Sequence, residues 1–278
     1  MSLAHFLITR FNLRRDAADT RAIDPAWLKG RFDLFDRFCY PTVRNQTNQD
    51  FRWLVLFDTD TPEPARTRIR DYQRWPNFIP VYFDAGSREQ AKAAVAAQLE
   101  GKLGEVKPTV LATTRLDNDD AVCRTFTQDI RNHAHAAEPT LIEFPVGYVW
   151  HRDRIYLDRQ PRNPFTTLVE PLREAGGFRT VFGTSHHDIG RGCRLLEPNL
   201  KPSWVQVIHG GNVANRQRGI RQSIAGLSES FAIEDKSLLR REGRFELGLD
   251  VLRSTIKTGI NNAVRAARDY WRRPNVES

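Results

Sequence analysis

The first half of the chain alternates between short, nearly continuous apolar runs and longer segments with apolar residues at every third or fourth position. Such runs are typical of parallel strands that are covered on both faces. They occupy His5–Thr9, Arg52–Phe57, Phe78–Phe83 and Pro108–Thr114. The alternation predicts an α/β fold with a mostly parallel sheet flanked by helices, and ligands at the carboxyl ends of its strands.

Helix starts are signalled in the segments between these runs. Asp24-Pro25 pairs a residue that favours the N-cap with proline at the first helical position. Ser87–Gln90 resembles a capping box, and we expect the alanine-rich helix that it opens to end near Leu103. Another helix is expected directly after Asp120. The helix that begins at Asp24-Pro25 is expected to bury Leu28, Phe32, Phe35 and Cys39. The helix after Asp120 is expected to bury Val122, Phe126 and Ile130.

The second half of the chain is less regular. Leu141–Trp150 and Arg154–Leu157 are predicted to form a hairpin around His151–Asp153. A further strand is predicted at Trp204–Ile208. From Phe245 onward, apolar residues recur at helical spacing with cationic residues between them, which predicts an amphipathic helix.

These elements divide the chain into two parts. Residues 1–244 are predicted to form an α/β domain whose halves meet at about residue 137, and residues 245–278 a basic helical extension. Lys and Arg outnumber Asp and Glu by 42 to 34, a net charge of +8 over 278 residues. This charge favours anionic partners such as nucleotide phosphates or lipid head groups. Part of it is localised, since Lys236–Arg273 holds ten basic and four acidic residues.

A cytoplasmic location is expected. Cys39, Cys123 and Cys193 lie far apart and form no CxxC pair, which fits a reducing compartment. The first residues lack the cationic leader and long apolar run of a signal peptide. No stretch approaches the ~20 apolar residues that span a bilayer.

The acidic run Asp117-Asn118-Asp119-Asp120 follows the fourth predicted strand. Carboxylates at positions i and i+2 in a tight loop suit Mg²⁺ or Mn²⁺, which prefer oxygen ligands and leave sites for water and phosphate. Three acids packed together repel one another unless a cation arrives. The alternative is a loop that only caps a following helix.

The sequence around this run resembles GT-A type glycosyltransferases, which have a Rossmann-like α/β fold. The resemblance is carried by Asn45–Phe51, the strand that ends in Asp58, and the acidic run itself. More specifically, Thr9–Asn12, Thr114–Asp120 and Trp204–Asn212 resemble a bacterial rhamnosyltransferase family. The resemblance covers about residues 5 to 215 and implies transfer of a sugar from a nucleoside-diphosphate donor.

The resemblance also implies roles for residues near the nucleotide. Thr9, Arg10 and Phe11 are expected to lie under the base and ribose. Asp58 is expected to accept hydrogen bonds from the base or ribose, and Arg115 to pair with a phosphate. An alternative for Arg115 is an ion pair with a neighbouring aspartate.

The resemblance also implies which residues bind the metal ion. Asp119 is expected to bind Mn²⁺ or Mg²⁺ directly, and Asp117 to face the ribose or a metal-bound water. His209 is a third candidate ligand, because neutral imidazole binds Mn²⁺. The alternative for His209 is a structural role at the end of a strand.

An inverting transfer needs a carboxylate that takes the proton of the acceptor hydroxyl. We favour Asp188 as this base, because His186 and His187 make its loop polar and titratable. Glu170 and the pair Glu234-Asp235 are the other candidates. Either stereochemistry is compatible with the sequence.

The predicted function is therefore metal-dependent transfer of a sugar, with rhamnose as one candidate, in the synthesis of bacterial surface polysaccharide. The expected partners are a uridine or thymidine diphosphate sugar and a glycan or lipid-linked acceptor. The basic helix is expected either to lie on an anionic membrane surface or to pack on the catalytic domain. Nucleic acid is not expected, since no known binding module accompanies the charge.

Two other functions fit parts of the sequence. A phosphatase of the haloacid dehalogenase type would use Asp58 and Asp60, which follow an apolar strand as a DxDT motif. Pro62 stands where that motif favours Thr or Val. A non-catalytic protein that binds nucleotide sugars would keep Asp58 and Asp119 and lack a base.

Overall fold

The computed structural model describes residues 2–271 except 15, 17, 85–87, 136, 173–176, 184–188, 211–216, 226 and 234–243. Its strands are β1 Leu3–Arg10, β2 Arg52–Asp58, β3 Phe78–Phe83, β4 Val110–Arg115, β5 Ala121–Val122, β6 Thr140–Ile142, β7 Val146–His151, β8 Arg154–Arg159, β9 Thr167–Pro171, β10 Arg194–Leu196, β11 Trp204–Ile208 and β12 Ile220–Gln222. Its helices are α1 Pro25–Leu34, α2 Tyr40–Arg44, α3 Glu63–Tyr72, α4 Arg88–Val106, α5 Phe126–His133, α6 Leu227–Phe231 and α7 Arg244–Trp271, with a 3₁₀ helix at Thr20–Ile23.

A sheet of seven strands in the order β10-β6-β9-β4-β1-β2-β3 forms the body of the protein. β4, β1, β2 and β3 are parallel neighbours, whereas β9 runs antiparallel to both β4 and β6. The predicted α/β fold with a mostly parallel sheet is confirmed. Because parallel strands end at one edge, Arg10, Asp58 and Arg115 mark the same carboxyl edge of the sheet.

The first predicted helix is confirmed together with its cap. The Asp24 side chain accepts a 2.8 Å hydrogen bond from the backbone amide of Trp27, and Pro25 is the first helical residue. The helix continues from α1 through a π-helical turn at Phe35–Cys39 into α2. Its predicted inner face is buried throughout: Leu28, Phe32, Phe35 and Cys39. The helix therefore packs its aromatic side chains against β1 and β2, under the carboxyl edge.

Two predicted elements are wrong in their boundaries. The helix expected directly after Asp120 begins only at Phe126, because Ala121–Val122 pairs with β11 as strand β5. The single strand expected at Leu141–Trp150 is two strands that belong to different sheets, β6 and β7. Tertiary pairing decided both, since neither segment has a periodicity that distinguishes the two outcomes.

A second sheet of five strands, in the order β12-β8-β7-β11-β5, packs beside the first. The predicted hairpin turn is present between β7 and β8, where Arg152 and Asp153 have φ of 50° and 57°, as a two-residue turn of type I′ requires. Trp204 of β11 is fully buried and stacks on Phe165 with ring centroids 5.0 Å apart. Gly147 is required beside it, since a Cβ there would lie 2.1 Å from the Trp204 ring.

The C-terminal helix α7 packs along β12. The Arg221 amide donates to Ser254 Oγ at 2.9 Å, and Thr258 Oγ1 donates to the Gly219 carbonyl at 3.2 Å. Four large apolar side chains of α7 are exposed: Leu249, Leu252, Ile256 and Ile260. Among the described residues, none of the helices has both the length and the apolar character that a bilayer crossing needs.

A buried histidine in the central strand is expected to make stability depend on pH. His5 Nε2 lies 2.8 Å from Thr114 Oγ1, and burial, assisted by the charge of Arg131, lowers the pKa of His5 from 6.5 to about 3. The unfolded chain therefore binds a proton more strongly than the folded one. Stability is full above pH 6.5 and falls toward pH 3, by up to about 1.4 kcal/mol per pH unit.

Urea unfolding between pH 4 and 7.5 checks this. His5→Gln removes the titrating ring, so its free energy of unfolding is expected to fall less steeply below pH 6.5 than that of the wild type. The exposed His135 provides the control, and His135→Gln is expected to follow the wild-type slope. Equal slopes for all three proteins would contradict the assignment.

Candidate functional site

The acidic loop after β4 is held between the two sheets. On one side, the Leu116 amide donates to the Ile8 carbonyl at 3.2 Å, and Asn118 Nδ2 donates to the Phe11 carbonyl at 2.9 Å. On the other side, Asp120 accepts a 2.9 Å hydrogen bond from the Val207 amide of β11. Burial, reinforced by the charges of Asp119 and Asp117, holds the pKa of Asp120 well above its usual range.

Asp119 meets a histidine from the other end of the sequence. His209 directly follows β11, and its Nε2 lies 2.8 Å from Asp119 Oδ2. Arg31 of α1 donates from Nη1 to the same oxygen at 3.0 Å. Burial alone would raise the pKa of Asp119, but the hydrogen bond from His209 and the charge of Arg31 lower it below its usual value. The carboxylate is therefore ionised.

Arg31 is a site residue that the sequence analysis missed. It lies on α1, stacks over the Trp27 ring with its guanidinium carbon 5.1 Å from the centroid, and also donates to Asn118 Oδ1 at 3.3 Å. Nothing in its helical spacing distinguishes it from a solvent-exposed arginine, because the contact with Asp119 spans 88 residues.

Asp117 of the acidic loop pairs with Arg115, the last residue of β4. Arg115 Nη2 lies 3.3 Å from Asp117 Oδ2, and the two side chains are 20% and 33% exposed. The alternative interpretation of Arg115, an ion pair with a neighbouring aspartate, is the arrangement observed. Its pairing with a phosphate stays a prediction, and so does the contact of Asp117 with the ribose or a metal-bound water.

Asp58 is fully buried at the end of β2, and both of its carboxylate oxygens are engaged. Oδ2 accepts from Arg14 Nε at 2.9 Å, and Oδ1 accepts from the Asp60 amide at 2.9 Å. Arg14 also donates to the Asp60 side chain at 2.7 Å. Arg14 is a second residue that the sequence analysis missed. Asp58 thus holds a cationic side chain at the carboxyl edge.

The three residues expected under the nucleotide differ in exposure. Thr9 has no exposed surface and accepts a 2.9 Å hydrogen bond from the Trp53 indole, and Phe11 packs among Phe32, Phe35 and Phe57. Arg10 is exposed at the end of β1, with its guanidinium over the Phe182 ring. The first two lie below the surface of the edge and the third lies on it. Their contacts with a nucleotide stay predictions.

Of the candidates for a catalytic base, the structure describes only Glu170. Asp188 and Glu234-Asp235 lie outside the described residues. Glu170 accepts from Arg179 at 2.7 Å and pairs in register with Leu111 of β4, about 13 Å along that strand from Arg115. The structure therefore does not bring Glu170 to the acidic loop.

A buried acid that the sequence analysis missed lies at the same edge of the sheet. Glu143 directly follows β6. The last residue of β6, Ile142, is in register with Thr167 of β9, and Thr167 is in register with Thr114 near the end of β4. It is 1% exposed, and burial raises its pKa. Among the described residues its Oε1 has no hydrogen-bond partner. An acid directly after the apolar run Leu141-Ile142 was the available signal.

The donors present fit a divalent ion that is shared with a phosphate. Among the described residues, no group of three His, Cys, Asp or Glu side chains is arranged to hold a metal ion. Asp119 and His209 meet as one oxygen and one nitrogen donor, both partly accessible. Mg²⁺ and Mn²⁺ at phosphate sites commonly take only one or two protein ligands and complete their shell with water and phosphate. Asp117 contacts Arg115 and completes no such group.

Comparison with known proteins relates the chain to glycosyltransferases. Residues 7–221 match the profile of a family described as "Putative rhamnosyl transferase". No curated protein matches the chain.

Solved structures give looser similarities. A 1–349 fragment of S. aureus TarS is 8% identical with a TM-score of 0.42, over 74% of this chain and 60% of that one. A longer S. aureus TarS structure is 8% identical with a TM-score of 0.41, and the match covers 75% of this chain and 37% of the TarS chain. The Pyrobaculum calidifontis mannosyltransferase PcManGT, in complex with GDP-Man and Mn²⁺, is 12% identical with a TM-score of 0.36, over 73% of this chain and 56% of that one. These superpositions are too loose to carry an argument.

Removing Arg31 is expected to destabilise the protein. Arg31→Gln leaves the Asp119 side chain, which is 10% exposed, with a poorly compensated charge. We expect a loss of about 1–3 kcal/mol in the free energy of unfolding, measured by urea denaturation at pH 7.5. Lys29→Gln on the same helix is the matched control, because Lys29 pairs with Asp33 through side chains that are 73% and 52% exposed. Its expected cost is below about 0.5 kcal/mol. Equal costs for both variants would show that Asp119 does not depend on Arg31.

Proposed function

Since the chain belongs to the rhamnosyl transferase family whose profile it matches over residues 7–221, it is a glycosyltransferase, and we propose the details of its reaction. The enzyme takes a hexose, with rhamnose as the first candidate, from a uridine or thymidine diphosphate sugar. It transfers this sugar to a glycan or a lipid-linked acceptor during synthesis of bacterial surface polysaccharide. The reaction depends on Mn²⁺ or Mg²⁺.

The meeting of Asp119 with His209 is the observation that carries the proposal. The two side chains are 90 residues apart in sequence and 2.8 Å apart in space, at the edge where ligands of parallel α/β sheets bind. One carboxylate and one imidazole are donors that Mn²⁺ accepts. A divalent ion there would offset the negative charge that develops on the nucleoside diphosphate as the bond to the sugar breaks.

The arginines at the same edge supply the rest of the charge for a diphosphate. Arg10 ends β1, Arg115 ends β4, and Arg14 is held at the edge by Asp58. Guanidinium groups bind phosphate oxygens in pairs, which fixes orientation as well as charge. Asp58 contributes to nucleotide binding by positioning Arg14, and its hydrogen bonds with the base or ribose stay a prediction. Asp188 takes the proton of the acceptor hydroxyl.

We propose further that the enzyme lies on the cytoplasmic face of the membrane, and the exposed apolar stripe of α7 supports this location. Leu249, Leu252, Ile256 and Ile260 are 40% to 59% exposed and recur at helical spacing. Arg253 and Lys257 follow two of them directly, so cationic side chains flank one side of the apolar stripe. Such helices lie in the interface of anionic bilayers. The partner of this surface is therefore an anionic membrane.

The two alternative functions have less support. A phosphatase would need Asp58 as an accessible nucleophile, but Asp58 is fully buried and hydrogen-bonded to Arg14 and the Asp60 amide. A non-catalytic binding protein would not need a metal ligand at His209. Hydrolysis or transfer of the sugar in the presence of Mn²⁺ would exclude it.

Donor binding is testable by thermal unfolding with a panel of nucleoside diphosphates, each with and without Mn²⁺. A ligand at 100 times its Kd adds about 2.7 kcal/mol of stability. We expect one of the uridine or thymidine diphosphates to raise Tm only when Mn²⁺ is present. Asp119→Asn and His209→Ala are expected to lose the metal-dependent part.

Asp71→Asn is the control for this measurement, because Asp71 of α3 is exposed and pairs with the exposed Arg74. It should respond as the wild type does. A nucleotide response that persists in Asp119→Asn with its metal dependence intact would refute the assignment of the metal ligand. No response to any nucleotide would refute the donor class.

Membrane binding is testable by sedimentation with vesicles of phosphatidylglycerol and phosphatidylcholine. Leu252→Ser/Ile256→Ser removes two side chains that are 58% and 55% exposed. Losing their burial in the interface is expected to weaken binding at least about tenfold. Leu195→Ser/Leu200→Ser is the matched control, since these leucines are 56% and 65% exposed elsewhere on the surface. Equal vesicle binding by both double variants would contradict the role of α7.

A further inference from the structure

A cationic cavity of about 450 Å³ lies away from the acidic loop, between α7 and the second sheet. Its walls come from the turn between β7 and β8, the start of β8, the segment before β12 and one face of α7. The charged side chains that line it are Arg152, Arg154, Arg218, Asp250, Arg253 and Lys257. Five cations thus face the same space as one carboxylate.

Most of this charge is not neutralised within the protein. Arg154 pairs with Asp250 at 2.9 Å, and Arg218 pairs with Asp158 at 2.8 Å. In the described part of the chain, no ion pair is formed by Arg152, Arg253 or Lys257. Like charges gathered around one cavity repel one another, so an anion that enters it is favoured.

The wall that α7 provides is attached firmly to the sheet. Ser254, which is 8% exposed, accepts from the Arg221 amide, and Thr258 donates to the Gly219 carbonyl. Asp250 adds the ion pair with Arg154 one turn earlier. Arg253 and Lys257 are therefore presented from a helix that is held in place, and less backbone freedom is lost when they bind a ligand.

The cavity begins one strand away from the candidate metal ligand. His151, which lines it, ends β7 and pairs in register with Ile208 of β11. Ile208 directly precedes His209, which contacts Asp119. Neighbouring strands lie about 4.8 Å apart, so a molecule extending from the acidic loop across the end of β7 reaches the cavity.

We propose that this cavity binds the phosphate or diphosphate group of the acceptor. A guanidinium and an ammonium on successive turns of one helix, Arg253 and Lys257, suit a group with two or more negative charges. The cavity volume is in the range of small-ligand sites. The name "acceptor" rests on the proposed function, whereas the binding of a phosphate group does not.

Two sources can supply this group, a soluble sugar phosphate or a lipid diphosphate. The exposed apolar stripe of α7 lies roughly 120° around the helix from the residues that face the cavity. Leu252 and Ile256 directly precede Arg253 and Lys257 in sequence, so an apolar chain attached to a bound diphosphate has an apolar surface within reach. The shared chemistry is a phosphate ester at the cationic cavity.

Calorimetric titration with inorganic pyrophosphate in EDTA tests the site. Arg253→Gln/Lys257→Gln removes two exposed cations of the cavity and is expected to weaken pyrophosphate binding at least tenfold. Arg52→Gln/Lys201→Gln removes the same charge from exposed positions outside the cavity, at the start of β2 and just before β11. This control should stay within twofold of the wild type. Equal affinities of the two double variants would overturn the proposal.

Arg14→Gln/Arg115→Gln separates this site from the donor site. It is expected to keep the pyrophosphate binding that depends on Arg253 and Lys257, while its response to nucleoside diphosphates falls. If it alone loses pyrophosphate binding, the anion binds at the carboxyl edge and the cavity proposal fails, whereas the proposed function stands.

Farnesyl diphosphate in place of pyrophosphate distinguishes the two sources. Tighter binding, lost in both Arg253→Gln/Lys257→Gln and Leu252→Ser/Ile256→Ser, would support the cavity with a lipid diphosphate as its ligand. Affinity equal to that of pyrophosphate, lost only in the first variant, would support the cavity with a soluble phosphate.

Discussion

The hydrogen bond between the Val207 amide and the buried Asp120 carboxylate ties the acidic loop of the first sheet to β11 of the second. Val207 lies two residues before His209, so this bond sets where the histidine leaves its strand. The pairing of β5 with β11 reinforces it, since Val122 is in register with Trp204. This junction fixes the two halves of the candidate site relative to each other, because Asp119 follows a strand of the first sheet and His209 follows a strand of the second.

The same loop concentrates negative charge, and the fold offsets it with cations from separate elements. Arg31 reaches Asp119 from α1, and Arg115 holds Asp117. The negative charge of Asp120 is instead disfavoured, since burial and its acidic neighbours raise its pKa. Asp119 is thus kept ionised beside a carboxyl group whose charge is disfavoured. In the proposed reaction, a divalent ion at Asp119 and the arginines of the edge would act together on the diphosphate.

The second sheet and α7 carry the cationic cavity, which lies away from the acidic loop. The turn at Arg152-Asp153 places cationic side chains beside those of α7, and β7 connects this region to the strand that carries His209. An acceptor with an anionic group and an apolar anchor matches both surfaces of the helix. The donor and acceptor ends of the proposed reaction are therefore coupled through neighbouring strands, β7 and β11.

The first half of the fold could be predicted from sequence because its signals are local. Asp24 caps α1 as its N-cap chemistry indicated, and the apolar run at Arg52–Phe57 became a buried parallel strand. The acidic loop after β4 was predictable for the same reason, since strand and loop are contiguous. The start of α5 was not, because Ala121–Val122 is consistent with either a helix or a strand until β11 pairs with it.

What the sequence alone determined was the α/β fold, the carboxyl edge, and the presence there of Asp58 and the acidic loop. Only the tertiary structure decided that Arg31 and Arg14 belong to that edge, that Glu170 does not, and that His209 meets Asp119. The contacts of Arg31, Arg14 and His209 join residues 44 to 90 positions apart, so no local periodicity records them. The cationic cavity has the same origin, since its charges come from a turn, strand β8, the segment before β12 and a helix that the fold alone brings together.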